Sequence, residues 1–297
     1  MTGVKLRFLF AIFLYGTIGW LLRFVTVPTD IVVFFRASIG FLTLLVIMKI
    51  RHISPDRAAI RSNLLYLILS GASLGLNWVF LFAAYKHTTV AIASLCNYTA
   101  PIIIVAISPL VLGEKLNFRK VLCVLAALAG IVLISGVFAG EGGQANPAGI
   151  AMGLGAALGF VGLVIFNRKM SGVSYYDRSM IQLLSAAVVV LIYAVISNFG
   201  KKITVDTKSV LIILMLGVLH TGIAYCFYFD GMARLPLTTY AVLGYLEPVV
   251  SVLCSVILLN EKMGIDGAAG TVLIIGAALA SELISASDAG EMEGGAS

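Results

Sequence analysis

Three ionisable side chains lie inside long apolar stretches, where they could bind a solute or carry a proton. Glu247 is eleven residues beyond Pro236, and a rise of about 1.5 Å per residue places it near the middle of a bilayer. A carboxylate at that depth is costly unless it is protonated or partnered, so we predict a proton-coupling acid or a structural, helix-locking acid. His220 lies within another stretch. Its imidazole can titrate near neutral pH or bind a solute, with a hydrogen bond between helices as the alternative. Arg36 is six residues into a third stretch. We expect its long side chain to snorkel outward or to pair with Asp30, with anion binding as the alternative.

Rings and hydrogen-bonding side chains also recur inside the apolar stretches. Pockets for small solutes combine apolar walls with a few placed polar groups, and these residues are of the types that would surround a zwitterionic or aromatic solute. Each ring could equally pack between helices or anchor the chain at a membrane interface, and that alternative stays open. The predicted substrate-binding residues are Trp20, Asn77, Trp78, Tyr85, Tyr98, His220 and Tyr245.

Two prolines lie well inside apolar stretches. Each proline lacks an N–H, so the carbonyl four residues earlier has no helical donor. Pro101 frees the carbonyl of Asn97, and Pro248 frees the carbonyl of Gly244. Broken helices persist in a membrane where they line a cavity or where neighbours satisfy the freed backbone groups. We predict that the two prolines are paired hinges, with a tolerated packing kink as the alternative.

Hydrophobic helices are the elements that must position these residues. Of the 297 residues, 60% are hydrophobic and only 11% are charged, whereas a soluble domain has about 25% charged residues. About 20 apolar residues in a helix span the hydrocarbon of a bilayer. The sequence therefore predicts an all-α integral membrane protein with ten spans, at residues 8–25, 31–48, 64–85, 88–112, 121–138, 148–166, 180–196, 210–232, 237–259 and 265–284.

The basic residues in the short connections predict the orientation. With the N-terminus placed in the cytoplasm, 13 of the 20 Lys and Arg residues fall inside, 5 fall outside, and Arg23 and Arg36 lie within spans. Cytoplasmic loops carry the excess of basic residues in membrane proteins. We therefore predict a multi-pass protein of the cell (inner) membrane with both termini in the cytoplasm.

The chain resembles itself at an offset of 147 residues. Tyr98 then matches Tyr245, Pro101 matches Pro248, and the Glu-Lys pair at 114–115 matches the pair at 261–262. Each repeat holds five spans, and an odd number of spans inserts the second repeat upside down. We predict a first repeat at 1–142, a second, inverted repeat at 143–285 and a flexible cytoplasmic tail at 286–297.

A central cavity between the two repeats follows from this symmetry, because inverted carriers bind their solute near the midplane, where broken helices meet. We predict walls from the first, third, fourth, sixth, eighth and ninth spans, with the fifth and tenth spans outside. Residues three and four apart share a helix face. Tyr98 and Tyr245 should therefore face inward as partners, each beside the proline of its span.

Short motifs in both halves are similar to those of a known family. They are Ala91-x-x-Ser94-Leu95, Pro101 and Gly113-Glu114-Lys115 in the first half, and Leu246-Glu247-Pro248-Val249, Asn260-Glu261-Lys262 and Gly270 in the second. On these motifs nearly the whole chain resembles the drug/metabolite transporter superfamily, specifically its EamA-type exporters with ten spans. The resemblance implies a two-repeat bundle with a central cavity and a cargo of amino acids and related metabolites. The aromatic third and eighth spans resemble the aromatic-amino-acid exporter branch, while Asn260 stands where the family usually has Gly.

Other functional classes fit the sequence less well. A phosphate- or sugar-type carrier of the same superfamily needs basic residues around its cargo, for which only Arg23 and Arg36 are candidates. An intramembrane enzyme needs a motif such as HExxH or GxSxG, and the chain has neither. We therefore predict a transporter without catalytic residues, metal or cofactor, whose partners are the lipid bilayer and a small solute and which can be a monomer. The four cysteines are interpreted as buried apolar side chains, which argues against a metal site. The chain has no run of basic residues interleaved with aromatic ones, which argues against nucleic-acid binding.

Overall fold

The described part of the chain is built from helices. A computed structural model describes residues 2–88, 90–113, 117–134, 146–200, 202–259 and 264–294, and every regular element in these ranges is helical. Within them, eight helical stretches are long and apolar enough to cross a membrane, and two shorter apolar helices, Val121–Leu133 and Ile265–Ala280, stand at the predicted fifth and tenth positions. The chain is thus an all-α membrane protein, as its composition predicted.

The helix bounds follow the predicted spans, with three interruptions. The predicted spans 88–112 and 237–259 are each divided into two helices, and 210–232 contains a π-helical segment. In chain order the helices are α1 (Thr2–Leu22), α2 (Thr29–Ile50), α3 (Arg57–Ala84), α4 (Val90–Asn97), α5 (Ala100–Leu112), α6 (Phe118–Ile134), α7 (Pro147–Lys169), α8 (Tyr175–Ser197), α9 (Thr207–Met215), the π-helix (Leu216–Ile223), α10 (Ala224–Arg234), α11 (Leu237–Gly244), α12 (Leu246–Leu259) and α13 (Ile265–Gly294).

The two divided helices break beside their prolines. Helix α4 ends at Asn97 and α5 begins at Ala100 with Pro101 in its first turn, while α11 ends at Gly244 and α12 carries Pro248 in its first turn. A proline is tolerated at the start of a helix, because the N–H that it lacks would have no helical partner there. A new helix therefore starts beside each proline, shortly after the residue whose carbonyl was expected to be freed, Asn97 or Gly244.

The π-helix was not expected from the sequence. The hydroxyl of Thr221 donates to the carbonyl of Leu216 five residues earlier, at 2.9 Å. On the side facing α2, a Cβ at Gly217 would lie 2.5 Å from Ile39, and one at Gly222 would lie 2.8 Å from Thr43. The two glycines thus permit the close approach of α2, and π-helical segments inside α-helices often accompany functional sites.

Helix pairings agree with the 147-residue offset. Helix α3 packs against α7 and α8, α1 packs against α10 and α12, α5 packs against α7, and α6 packs against α13. Under the offset, α7 corresponds to α1, and α3 corresponds to the segment that contains α10. The pairing of α3 with α7 therefore has its counterpart in α10 with α1, and that of α5 with α7 in α12 with α1.

Some sequence-based expectations fall at or beyond the edge of the described residues. The predicted tail at 286–297 begins inside α13, which continues to Gly294, and residues 295–297 lie outside the described ranges. The two Glu-Lys pairs at 114–115 and 261–262 also lie outside them. All four cysteines are free, and Cys123 and Cys226 are buried.

Candidate functional site

A cavity of about 740 Å³ lies between α1, α2, α3, the α4–α5 break, α7, α10 and the α11–α12 break. At one end its lining includes the exposed residues Arg23 and Thr29, which flank the connection between α1 and α2. At the other end it stops at the buried rings of Tyr228 and Tyr240. We call the first the open end and the second the closed end. The size is that of a pocket for a small organic solute.

Six of the residues expected at a site line this cavity together with Pro101. They are Asn77, Trp78, Tyr85, Tyr98, Tyr245 and Glu247. The buried Asn77 side chain donates to the Oδ1 atom of Asn97 and to the carbonyl of Ala156, both at 2.8 Å. Its amide therefore ties α3 to α4 and α7 and serves to position the wall.

The two tyrosines matched by the offset meet at the helix breaks. Their ring centroids are 6.4 Å apart, and the hydroxyl of Tyr245 donates to the carbonyl of Tyr98 at 2.9 Å. That carbonyl lacks its usual helical donor, because the N–H of Ile102 donates to Thr99 instead. One side chain from the second half thus satisfies the backbone of the break in the first half.

Three predicted residues lie away from the cavity lining. Trp20 packs edge-on against Phe24, with ring centroids 5.8 Å apart. His220 sits on the π-helix, is 3% exposed, and its Nε2 atom shares a 2.9 Å hydrogen bond with the hydroxyl of Thr17 on α1. Pro248 is also outside the lining. Sequence position within a span does not decide which face of the helix a residue occupies.

Arg36 is the main residue of the cavity that sequence reasoning misplaced. It is 8% exposed, lines the cavity, and its guanidinium carbon lies 5.1 Å from the ring centroid of Trp78. The expected pairing with Asp30 is wrong, because the Asp30 carboxylate accepts from Asn198 at 2.7 Å instead. The cavity also contains a tyrosine cluster that we did not predict, formed by Tyr15, Tyr225, Tyr228 and Tyr240. The signal for it was the four aromatic residues at positions 225 and 227–229.

The closed end is held by rings and by charges. The ring of Phe8 is fully buried against Tyr228 and Tyr240, at centroid distances of 5.4 and 5.3 Å, and the two tyrosine hydroxyls share a 2.7 Å hydrogen bond. Beside these rings, Asp230 is 4% exposed and pairs with Arg7 of α1 at 2.9 Å and with Arg234 at 2.7 Å. The Arg7 pair ties α1 to α10.

The open end carries a weaker polar link. The hydroxyl of Thr26 donates to Asp206 at 2.7 Å, and its N–H donates to the hydroxyl of Ser209 at 3.0 Å. Hydrogen bonds from Ser209 and then Thr26 lower the pKa of Asp206 to about 2. The carboxylate is therefore charged at neutral pH and caps the start of α9.

The comparisons with known proteins cover most of the chain. The profile of the EamA-like transporter family matches the chain twice, at residues 3–136 and 147–281. The chain belongs to the EamA-like transporter family. This membership confirms the resemblance drawn from the motifs. Within the part that the structure describes, this EamA-like transporter has no cluster of three or more His, Cys, Asp or Glu side chains that could hold a metal ion.

Some similar proteins are named transporters, and others have names that state no activity. The uncharacterized transporter YxxF of Bacillus subtilis is 24% identical over 270 residues, which are 91% of this EamA-like chain and 86% of the relative. Protein RarD of Escherichia coli is 26% identical over 246 residues, with 81% and 80% covered. A solved crystal structure with 23% identity superposes with a TM-score of 0.82 over 95% of this chain and 98% of the other, which supports the fold alone.

Proposed function

We propose that this EamA-like transporter exports small metabolites, namely amino acids and related zwitterionic or aromatic solutes, by alternating access between two inverted repeats. The family membership supports transport. The solute class rests on the cavity, whose wall combines aromatic rings with the charged groups of Arg36 and Glu247. We place the protein in the cell (inner) membrane with both termini in the cytoplasm, and we keep Glu247 as a coupling or structural acid and Pro101 and Pro248 as hinges.

The observation that carries the proposal is a cavity that reaches one end of the bundle and is closed at the other. The open end reaches Arg23, whereas buried rings and the Asp230 ion pairs cover the closed end. A carrier must hold its solute at a site with access from one side at a time. With the N-terminus in the cytoplasm, this geometry corresponds to an outward-open state.

The inverted repeat is supported by two further observations. The family profile matches each half separately, and the helix pairings come in sets related by the same offset. Exchanging the conformations of two such halves would open the closed end and close the open one. The repeat therefore supplies a route from the outward-open state to an inward-open state.

The orientation can be tested with single cysteines. After replacement of the four native cysteines, Ser54→Cys and Lys202→Cys should lie on opposite sides, since the five predicted spans between 64 and 196 separate them and both side chains are exposed. In intact cells an impermeant thiol reagent should label the cysteine at 202 within minutes, whereas the one at 54 should need permeabilised cells. Labelling at 54 but not at 202 would reverse the proposed orientation.

Transport itself is tested with purified protein in liposomes. A panel of labelled amino acids should exchange across the membrane faster than in protein-free liposomes, with a rate that saturates as the solute concentration rises. The measurement is run with and without a pH gradient, which also tests Glu247 as a coupling acid. If no amino acid exchanged while a sugar phosphate did, the proposed solute class would be wrong.

A phosphate- or sugar-type carrier remains the second candidate within the superfamily. Its cargo would carry two negative charges, which Arg36 and Arg23 would have to balance. The carboxylate of Glu247 lines the same cavity and would repel such an anion. The same panel includes a sugar phosphate and so decides between the two candidates.

A further inference from the structure

Arg36 is a buried cation without a direct ion pair in the described chain. Its side chain is 8% exposed and lines the cavity, and its Nε atom is buried without a hydrogen-bond partner. The described ion pairs of the chain do not include Arg36. A charge removed from water is costly unless a partner compensates it, so the site calls for a negative group on the solute.

Trp78 gives this cation a fixed orientation. The guanidinium carbon lies 5.1 Å from the ring centroid, and the ring is held edge-on by Tyr225 at a centroid distance of 6.1 Å. Tyr225 also hydrogen-bonds to the guanidinium, whose Nε–H stays without a partner, and a guanidinium held against an aromatic ring presents its remaining donors at the edge. That edge matches the two oxygens of a carboxylate, which bind an arginine side by side. The buried hydroxyl of Tyr15, which also lines the cavity, has no partner either and can add a further donor.

Glu247 supplies the opposite charge on the other half of the protein. It lies in the first turn of α12, lines the cavity and is half-buried. Arg36 and Glu247 attract each other across the cavity, but no direct ion pair joins them in the described part of the chain. Two opposite charges that share a cavity without pairing leave room for a solute with one charge of each sign.

We propose that Arg36, held by Trp78, binds the carboxylate of an α-amino acid and that Glu247 binds its ammonium group. The aromatic wall near Tyr98 then receives the side chain of the solute. The assignment rests on the proposed function and names its specificity-determining residues. An amino acid gains both contacts, whereas an amine or a carboxylic acid leaves one charge of the cavity unmatched.

Binding can be measured separately from transport with tryptophan fluorescence. The chain has two tryptophans, and Trp20→Phe leaves Trp78, beside Arg36, as the only reporter. The probes are phenylalanine, phenethylamine, which lacks the carboxylate, and phenylpropionate, which lacks the ammonium group. We expect phenylalanine to bind at least about tenfold more tightly than either analogue, since each lost contact is a charge-assisted hydrogen bond.

The two variants should lose complementary parts of this preference. Arg36→Gln should bind phenylalanine and phenethylamine equally, while Glu247→Gln should bind phenylalanine and phenylpropionate equally. Arg36→Lys, which keeps the charge but not the planar donor pair, should be intermediate, so the test survives if Arg36→Gln fails to fold. Arg61→Gln, at an exposed position of α3 outside the cavity lining, is the matched control and should keep both preferences.

The outcomes separate the two proposals. If phenylalanine binds with the expected pattern but is not transported, the proposed function fails and the binding assignment stands. If the parent protein transports phenylalanine but both variants keep the parent preferences, the assignment is wrong. Loss of the pH-gradient dependence of transport in Glu247→Gln, with analogue preferences unchanged, would make Glu247 a coupling acid and overturn its assignment here.

Discussion

Replacing Tyr245 by phenylalanine should destabilise the protein and slow transport about tenfold, although only one hydroxyl is removed. That hydroxyl donates to the carbonyl of Tyr98 at the break between α4 and α5. A carbonyl left without a donor costs up to about 1–3 kcal/mol where water cannot reach it. The bond joins the broken helices of the two halves, so its loss should affect the geometry of both cavity walls.

The matched control is Tyr98→Phe. Tyr98 is the repeat partner of Tyr245 and lines the same cavity, but none of the described hydrogen bonds uses its hydroxyl. Its removal should leave the thermal unfolding midpoint of the purified protein unchanged, whereas Tyr245→Phe should lower it. Equal midpoints for the two variants would show that the hydroxyl of Tyr245 does not hold the break together.

Tyr245→Ala should have a larger and less specific effect. The side chain is 1% exposed, and truncating a buried aromatic residue costs about 3–5 kcal/mol. We therefore expect low abundance in the membrane, which is why the phenylalanine variant is the informative one. Membrane abundance measured alongside flux distinguishes lost folding from lost transport.

Apolar length and proline chemistry predicted most of the fold. A bilayer sets the length of each span, so the ten apolar stretches could be located without knowing their partners. The breaks near Pro101 and Pro248 were predictable because proline has no N–H. The π-helix was not, because its cause lies in the close packing of Gly217 and Gly222 against α2, which sequence spacing does not show.

The candidate site was only partly predictable, because residue type does not reveal long-range partners. Tyr98 and Tyr245 were found through the repeat, and the structure places them in contact. Arg36 was expected near the membrane interface because Asp30 is near it in sequence. The Asp30 carboxylate instead accepts a hydrogen bond from Asn198, which is 168 residues away in the sequence. With Asp30 engaged elsewhere, the ring of Trp78 on α3 receives the arginine.

At the closed end, Arg7 and Arg234 bind the same carboxylate but connect different parts of the protein. Arg7 pairs with Asp230 between α1 and α10, whereas Arg234 pairs with it four residues along α10 itself. Only the first pair holds two helices together. Arg7→Gln should therefore open this end more often, and Arg234→Gln should not, although both remove the same charge from the same partner.

The size of the effect follows from the exposure of the pair. The Arg7 side chain is 43% exposed, so solvent screening limits its pair with Asp230 to about 1 kcal/mol, or roughly a fivefold change in the open population. Asp230 keeps Arg234 in the Arg7→Gln variant, which preserves the local fold. The Phe8 ring layer keeps the end mainly closed, because its burial against Tyr228 and Tyr240 is unaffected.

The measurement is the rate at which an impermeant thiol reagent reaches a cysteine behind this layer. Ile12 is 1% exposed and lines the cavity, so Ile12→Cys in a cysteine-free background should react slowly from the closed side in inside-out vesicles. Adding Arg7→Gln should raise that rate about fivefold, and adding Arg234→Gln should leave it within about twofold. Equal acceleration by both variants would mean that net charge, and not the tie between α1 and α10, keeps this end closed.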